Sequence, residues 1–217
     1  MSNILPDTDI YAITDSKLSL GRSVEDVVAQ LLAADVKIIQ YREKKKKAGE
    51  MLRECEILRK MTREAGACFI VNDHVDIAAL VKADGVHVGQ EDLPVSKVRE
   101  LMGEDCLIGL STHSPEHISG ALRDGADYIG VGPLFATRTK EDVCEAVGLE
   151  YLDYVAKNSP IPFAAIGGIK RHNIAEVVRH GARCCCLVSE IVGAEDIVAR
   201  VAEVRAIMWE ASQGKSL

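Results

Sequence analysis

The 217 residues are 47% hydrophobic and 27% charged, with 4% aromatics, a globular balance in a chain able to bury roughly 70% of its unfolded surface. A formal net charge of −7 gives little support to a nucleic-acid partner, and no apolar window approaches membrane-spanning length. The start, "MSNILPDTDI", lacks the basic residues and apolar run of a secretory signal. Seven cysteines, an odd number with no C-x-x-C pair, point to reduced thiols in a cytoplasm.

In chain order, short apolar runs predict strands over 10–14, 36–41, 68–72, 83–88, 106–111, 126–131, 162–166 and 184–188. Eight units in 217 residues give about 27 residues each, the size of a repeated strand–helix module. Between them, Ser114-Pro115-Glu116 marks a helix start, with a hydroxyl at the N-cap and proline at the first helical position. Asn173 lies early in the helix after the seventh strand. Gly66, Gly125 and Gly181 stand where a helix gives way to the next strand. A last helix near 194–209 carries Ile197, Val201, Val204 and Met208 on one face. In the eighth strand, Cys185 must face away from Cys184 and Cys186, so the triplet reads as small-residue packing and not as a metal site.

Alternating strands and helices imply a parallel sheet covered by helices. Eight units favour closure into an α/β (β/α)₈ TIM barrel, with residues 1–217 as a single domain. An open doubly-wound sheet is the alternative, but no G-x-G-x-x-G follows the first strand and no phosphate-loop motif occurs. In such a barrel, chemistry sits at the carboxyl ends of the strands. The exits are polar or glycine-rich: Thr14-Asp15, "IIQYREK", "FIVNDH", "GVHVGQED", "IGLSTHS", "YIGVGPLFATRTK", "AIGGIKRHN" and "LVSE". The amino ends show no comparable pattern.

Asp73 and Asp92 leave neighbouring strands and can converge on one ion; two hard oxygen ligands suit Mg²⁺ with substrate phosphates. The plainer alternative is that each caps the helix that follows it. Arg42, Lys44 and Lys140 form a cationic side, Arg as a planar fork and Lys as a point charge. Lys140 sits among hydroxyls, which suits a phosphate ligand better than a Schiff base. Lys45 to Lys47 read as a solvated run. After strands seven and eight, Gly167 and Gly168 let backbone N–H groups approach a second phosphate. Two anion sites imply two phosphorylated substrates. "HSPEH", His113 to His117, matches H-x-x-E-H, but Ser114-Pro115 starts the helix after His113, so the spacing has no helical meaning. His87 reads as a hydrogen-bonded barrel residue.

The segments "QYREK", "VNDHVDIA", "ADGVHVGQEDLP", "IGLSTHS", "DYIGVGPLFATRTK", "AIGGI" and "VSEI" together resemble thiamine phosphate synthases, from about Tyr11 to Ile191. Those transferases join a hydroxymethylpyrimidine diphosphate to a thiazole phosphate with release of pyrophosphate. The resemblance implies that Gln40, Arg42, Lys44, Asn72, Ser111 and Lys140 hold the pyrimidine diphosphate. It implies one Mg²⁺ on Asp73 and Asp92. Thr137, Arg138, Thr139, Gly168, Val188 and Ser189 would hold the thiazole phosphate. Arg42, Lys44 and Lys140 would also act catalytically, by neutralising the leaving charge. Three departures stand out: Tyr41 for the usual leucine, Arg138 for proline or alanine, and the cysteine triplet for glycine, alanine and valine. The rivals are a thiazole tautomerase-type paralogue and a non-catalytic thiamine-phosphate sensor; a homo-oligomer is compatible with the sequence.

Overall fold

Eight parallel strands pair in chain order, and the eighth closes back onto the first. This computed structural model describes residues 5–137 and 145–213. The order is β1 (Ile10–Ile13), α1 (Val24–Ala33), β2 (Ile38–Tyr41), α2 (Ala48–Glu64), β3 (Cys68–Asn72), α3 (Val75–Val81), β4 (Gly85–Val88) and α4 (Val95–Met102). It continues with β5 (Leu107–Thr112), α5 (Pro115–Asp124), β6 (Tyr128–Val131), α6 (Gly148–Asn158), β7 (Phe163–Ala165), α7 (Ile174–Arg179), β8 (Cys184–Leu187) and α8 (Ile197–Gln213). The (β/α)₈ barrel expected from the alternation is therefore what the chain forms.

Alternate strand residues divide the apolar interior into two layers. Ile10, Ala12, Ile39, Phe69, Val71, Val86, Ile108, Ile129 and Cys185 face the helices. Tyr11, Ile13, Ile38, Cys68, Ile70, Leu107, Tyr128, Cys184 and Cys186 fill the barrel. The triplet thus splits as its period of two requires. The α8 stripe Ile197, Val201, Val204 and Met208 is buried, extended by Ala211.

Several strands begin later than the apolar runs suggest, and the cause is a shared helix ending. After α1, α2, α3, α5 and α7 the chain passes a left-handed residue: Asp35, Gly66, Lys82, Gly125 and Gly181. The next N–H then returns to the carbonyl five residues back, as from Val36 to Leu31, Ala83 to Ala78 and Ala126 to Ala121. These apolar residues are buried as part of the helix stop, and the strand starts two residues on.

The amino-end face, expected to show no pattern, carries one of its own. Asp84 and Asp127 each stand just before a strand, and each accepts from a neighbouring-strand N–H: Phe69 at 2.8 Å and Ile108 at 2.7 Å. Each also holds a helix arginine, Arg59 of α2 and Arg99 of α4. Asp9, before β1, holds Arg205 of α8 in the same manner. These carboxylates staple helices to strand starts through charge-assisted hydrogen bonds. We predict that Asp127→Ala lowers unfolding free energy by about 2 kcal/mol in urea titration; a loss under about 0.5 kcal/mol contradicts the staple.

Burial pushes the thiols of Cys55, Cys68 and Cys184 up to about 12 and that of Cys106 up to about 11. Thiolate, the reactive form, is then scarce. These four cysteines, with Cys185 and Cys186, are expected to resist iodoacetamide at pH 8 until the protein is denatured. Labelling of any of them in the folded protein, read by mass spectrometry, would contradict this. Cys144 lies outside the described residues.

Candidate functional site

Register decides what meets at the carboxyl ends. Tyr41 of β2 pairs with Val71 of β3, so Arg42 to Lys44 leave the barrel beside Asn72 and Asp73. Asn72 pairs in turn with His87 of β4, and the Asp73 N–H extends that ladder to the His87 carbonyl at 2.9 Å. The result is direct contact between opposite charges: Lys44 Nζ donates to Asp73 Oδ2 at 2.5 Å.

Asp73 is held unusually. Its φ is 60°, in the left-handed region that a non-glycine residue seldom takes. The His74 N–H bonds the Asn72 carbonyl across it at 2.7 Å. Such strain is kept where a side chain must point in one direction. Asp92 lies in the segment after β4, where its Oδ2 accepts from the Gly89 N–H at 2.7 Å. Among the described residues no group of three or more His, Cys, Asp or Glu could hold a metal. Two carboxylates alone still fit Mg²⁺, which completes its shell with water and substrate phosphate. Asp73 already bears a cation, the Lys44 ammonium.

Arg42 is 9% exposed, and its Nη1 lies 3.6 Å from Asp15 Oδ2. Its backbone N–H donates to Thr14 Oγ1. Among the described residues, Arg42 Nε is the one buried side-chain polar atom without a partner. A buried guanidinium donor with nothing to bond is costly unless a ligand supplies the acceptor. Arg42 lines a cavity of about 290 Å³ with Thr14, Asp15, Arg22, Glu43 and Lys46.

Lys46 corrects the expectation of a solvated lysine run. It is paired with Glu54 of α2 and lies 3.9 Å from Glu43. Tyr41, the departure from leucine, donates to the other Glu54 oxygen at 2.6 Å and so helps to fix that pair. Burial alone would raise the Glu43 carboxyl, but the Ser16 hydroxyl and the N–H groups of Lys45 and Lys44 outweigh it and hold the group below its usual range.

Within the barrel mouth Gln40 and Asn72 are buried and Ser111 is half-buried. Gln40 Nε2 donates to Tyr11 Oη at 2.7 Å. His87 lies 3.0 Å from both Tyr128 Oη and Ser111 Oγ, the barrel role expected of it. His113 precedes the helix that begins at Pro115, so H-x-x-E-H spans no common helix; its backbone N–H donates to His117 Nδ1 at 3.2 Å.

The glycine pair after β7 packs closely on the segment that follows β6. A side chain on Gly168, at φ 66°, would come within 2.8 Å of Phe135 Cβ, and one on Gly167 within 2.3 Å of Pro133 Cα. Both admit the segment after β6, whose Phe135 N–H donates to the Gly167 carbonyl at 3.0 Å. That packing leads to half-buried Thr137. Arg138, Thr139 and Lys140 lie outside the described residues. Opposite, Val188 and Ser189 follow β8, and Lys170 Nζ donates to Ser189 Oγ at 2.7 Å. Asn173 clamps the same loop, accepting from the Lys170 N–H and donating to the Gly168 carbonyl. Lys170 was not among the expected site residues, and Asn173 was expected only as an early helix residue, although a lysine three residues past Gly167 at a strand exit was a usable signal.

Fold and site define a (β/α)₈ barrel whose carboxyl-end face sets the cations Arg42, Lys44 and Lys46 against the carboxylates Asp15, Asp73 and Glu54. The sequence profile described as thiamine monophosphate synthase matches residues 10–191. The chain is 61% identical over 209 residues to a thiamine-phosphate synthase of Lawsonia intracellularis, covering 94% of this chain and 96% of that one. It is also 61% identical over 204 residues to one of Pelotomaculum thermopropionicum, covering 94% of each. A solved thiamine phosphate pyrophosphorylase from Pyrococcus furiosus superposes with a TM-score of 0.85 at 36% identity, covering 94% and 97%. The chain belongs to the thiamine monophosphate synthase family.

The strain at Asp73 makes a stability prediction independent of activity. Asp73→Gly should match or exceed the parent by up to about 1 kcal/mol in urea titration, because glycine takes φ near 60° without cost. Destabilisation beyond about 1 kcal/mol contradicts the account of Asp73.

Proposed function

We propose that this protein is the transferase that joins 4-amino-2-methyl-5-hydroxymethylpyrimidine diphosphate to 4-methyl-5-(2-hydroxyethyl)thiazole phosphate, or its carboxylated form. The products are thiamine phosphate and pyrophosphate. Residues 1–217 act as a single barrel domain, in the cytoplasm, with two phosphorylated small molecules as partners. The observation that carries the reading is the buried Arg42 Nε, which no described residue bonds, together with the Lys44–Asp73 pair.

Gln40 and Asn72 bind the pyrimidine end, and Arg42, Lys44, Ser111 and Lys140 receive the diphosphate. Arg42 Nε gains its missing acceptor there. Lys44 can then turn from Asp73 to a diphosphate oxygen, freeing the carboxylate. Asp73 and Asp92 would hold Mg²⁺, which when bound would supply positive charge to the leaving group. The bond from the pyrimidine methylene to the diphosphate oxygen breaks, and both electrons leave with pyrophosphate. The thiazole nitrogen then donates its lone pair to the methylene carbon, forming the new carbon–nitrogen bond. Thr137, Arg138, Thr139, Gly168, Val188 and Ser189 orient that ring by its phosphate, and Lys170 adds a positive charge beside Ser189. Fixed cations lower the barrier because charge develops where they already stand.

The direct test mixes the protein with both substrates and Mg²⁺. Pyrophosphate and thiamine phosphate should appear in equal amounts. Binding without pyrophosphate release would support the sensor, and a rearranged thiazole without coupling would support the tautomerase. Asp92→Ala should keep the fold and lose about 100-fold in turnover at ordinary magnesium; unchanged turnover contradicts the metal assignment.

A further inference from the structure

A continuous chain of hydrogen-bonding groups crosses the barrel and joins two proposed pyrimidine-site residues. Gln40 Nε2 lies 2.7 Å from Tyr11 Oη, and Tyr11 Oη lies 2.9 Å from Tyr128 Oη. Tyr128 Oη lies 3.0 Å from His87 Nδ1, and His87 Nε2 lies 3.0 Å from Ser111 Oγ. The members come from β2, β1, β6, β4 and β5. Space for the two rings exists only because position 109 is glycine: a side chain there would stand 2.1 Å from the Tyr128 ring and 2.4 Å from His87. Both tyrosines are fully buried, and burial first, then their mutual proximity, holds the Tyr11 phenol well above 10. Burial likewise holds the Tyr128 phenol well above 10. Each hydroxyl therefore keeps one proton to donate.

With one proton at each link, a neutral chain has two self-consistent polarities. In the first, the Gln40 amide donates to Tyr11, Tyr11 to Tyr128, Tyr128 to His87 Nδ1, and His87 Nε2–H to Ser111. The Ser111 proton is then left to point out of the chain, and the Gln40 amide oxygen turns away from Tyr11. In the second, every proton is reversed: Ser111 donates inward and Gln40 shows its NH₂ to the site. Diphosphate oxygens only accept, so an anion facing Ser111 selects the first polarity. That polarity places an acceptor at Gln40, which suits the exocyclic amino group of an aminopyrimidine and opposes a carbonyl in its place.

We propose that Tyr11, Tyr128 and His87 are positioning residues, a hydrogen-bond relay through which the anion at Ser111 sets Gln40 as an acceptor for the amino group of the pyrimidine. This rests on the placement of Gln40 and Ser111 under the proposed function, and deepens it. Recognition of the two halves of one substrate is then coupled without movement of the backbone.

The test uses the full chain, labelled with ¹⁵N-histidine, in the presence of Mg²⁺ and inorganic pyrophosphate. His87 is assigned by the signal lost in His87→Gln. Its tautomer should carry the proton on Nε2, with Nδ1 bare. In steady-state kinetics, Tyr128→Phe should raise KM for the pyrimidine diphosphate about tenfold and change KM for the thiazole phosphate less than about twofold. Tyr11→Phe, which cuts the chain without touching His87, should do the same, and serves alone if Tyr128→Phe does not fold. A proton on Nδ1 with pyrophosphate bound overturns the relay, as does an unchanged KM in a folded phenylalanine variant. Unchanged KM in Ser111→Ala would instead overturn the substrate placement itself.

Discussion

Everything at the site follows from one register: Tyr41 opposite Val71, and Asn72 opposite His87. In a closed parallel barrel every strand ends on the same rim, so this pairing sets Arg42, Lys44 and Asp73 side by side without any long loop to carry them. A one-residue slip would turn alternate side chains from the barrel to the helices. Gln40 would then face the outer layer and Tyr41 the mouth. The two apolar layers oppose that slip, because Ile38 and Ile70 fit inside while Ile39 and Val71 pack against helices.

The rim neutralises its own charges. Lys44 rests on Asp73, Arg42 lies near Asp15, and Lys46 is bound by Glu54 close to Glu43. These contacts hold long cationic side chains at the rim, at the position proposed for a diphosphate, and reduce their mutual repulsion. They differ in permanence. Lys44 is 55% exposed and can exchange partners easily, whereas Arg42 is buried with one donor that no described residue bonds. Arg42 is therefore the fixed element and Lys44 the movable one.

Much of this rim was legible in the sequence, for a physical reason. A strand buried on both faces is a plain apolar run, so the first polar residues after it mark the exit, as Asn72-Asp73 and Arg42 to Lys44 do. The strand starts were less legible, since Val36, Ala83 and Ala126 are apolar for the sake of the helix endings. Features built by contacts distant in sequence had no local signature. Tyr11 and Tyr128 meet across 117 residues, and each looks like a core aromatic when read alone. Lys46 looked solvated because Glu54, its partner, sits one helix turn and more into α2. The Asp84 and Asp127 staples were written as a repeated Ala-Asp before β4 and β6, a pattern seen only once the arginines stand opposite.

Fixed Arg42 and movable Lys44 together make a claim about what changes when the diphosphate arrives. The most direct measurement is a crystal structure of the full chain with thiamine phosphate, pyrophosphate and Mg²⁺. The account predicts a pyrophosphate oxygen within hydrogen-bond reach of Arg42 Nε, a cation between Asp73 and Asp92, and Lys44 moved off Asp73 onto pyrophosphate. Pyrophosphate bound away from Arg42, with the Lys44–Asp73 contact intact, would contradict it.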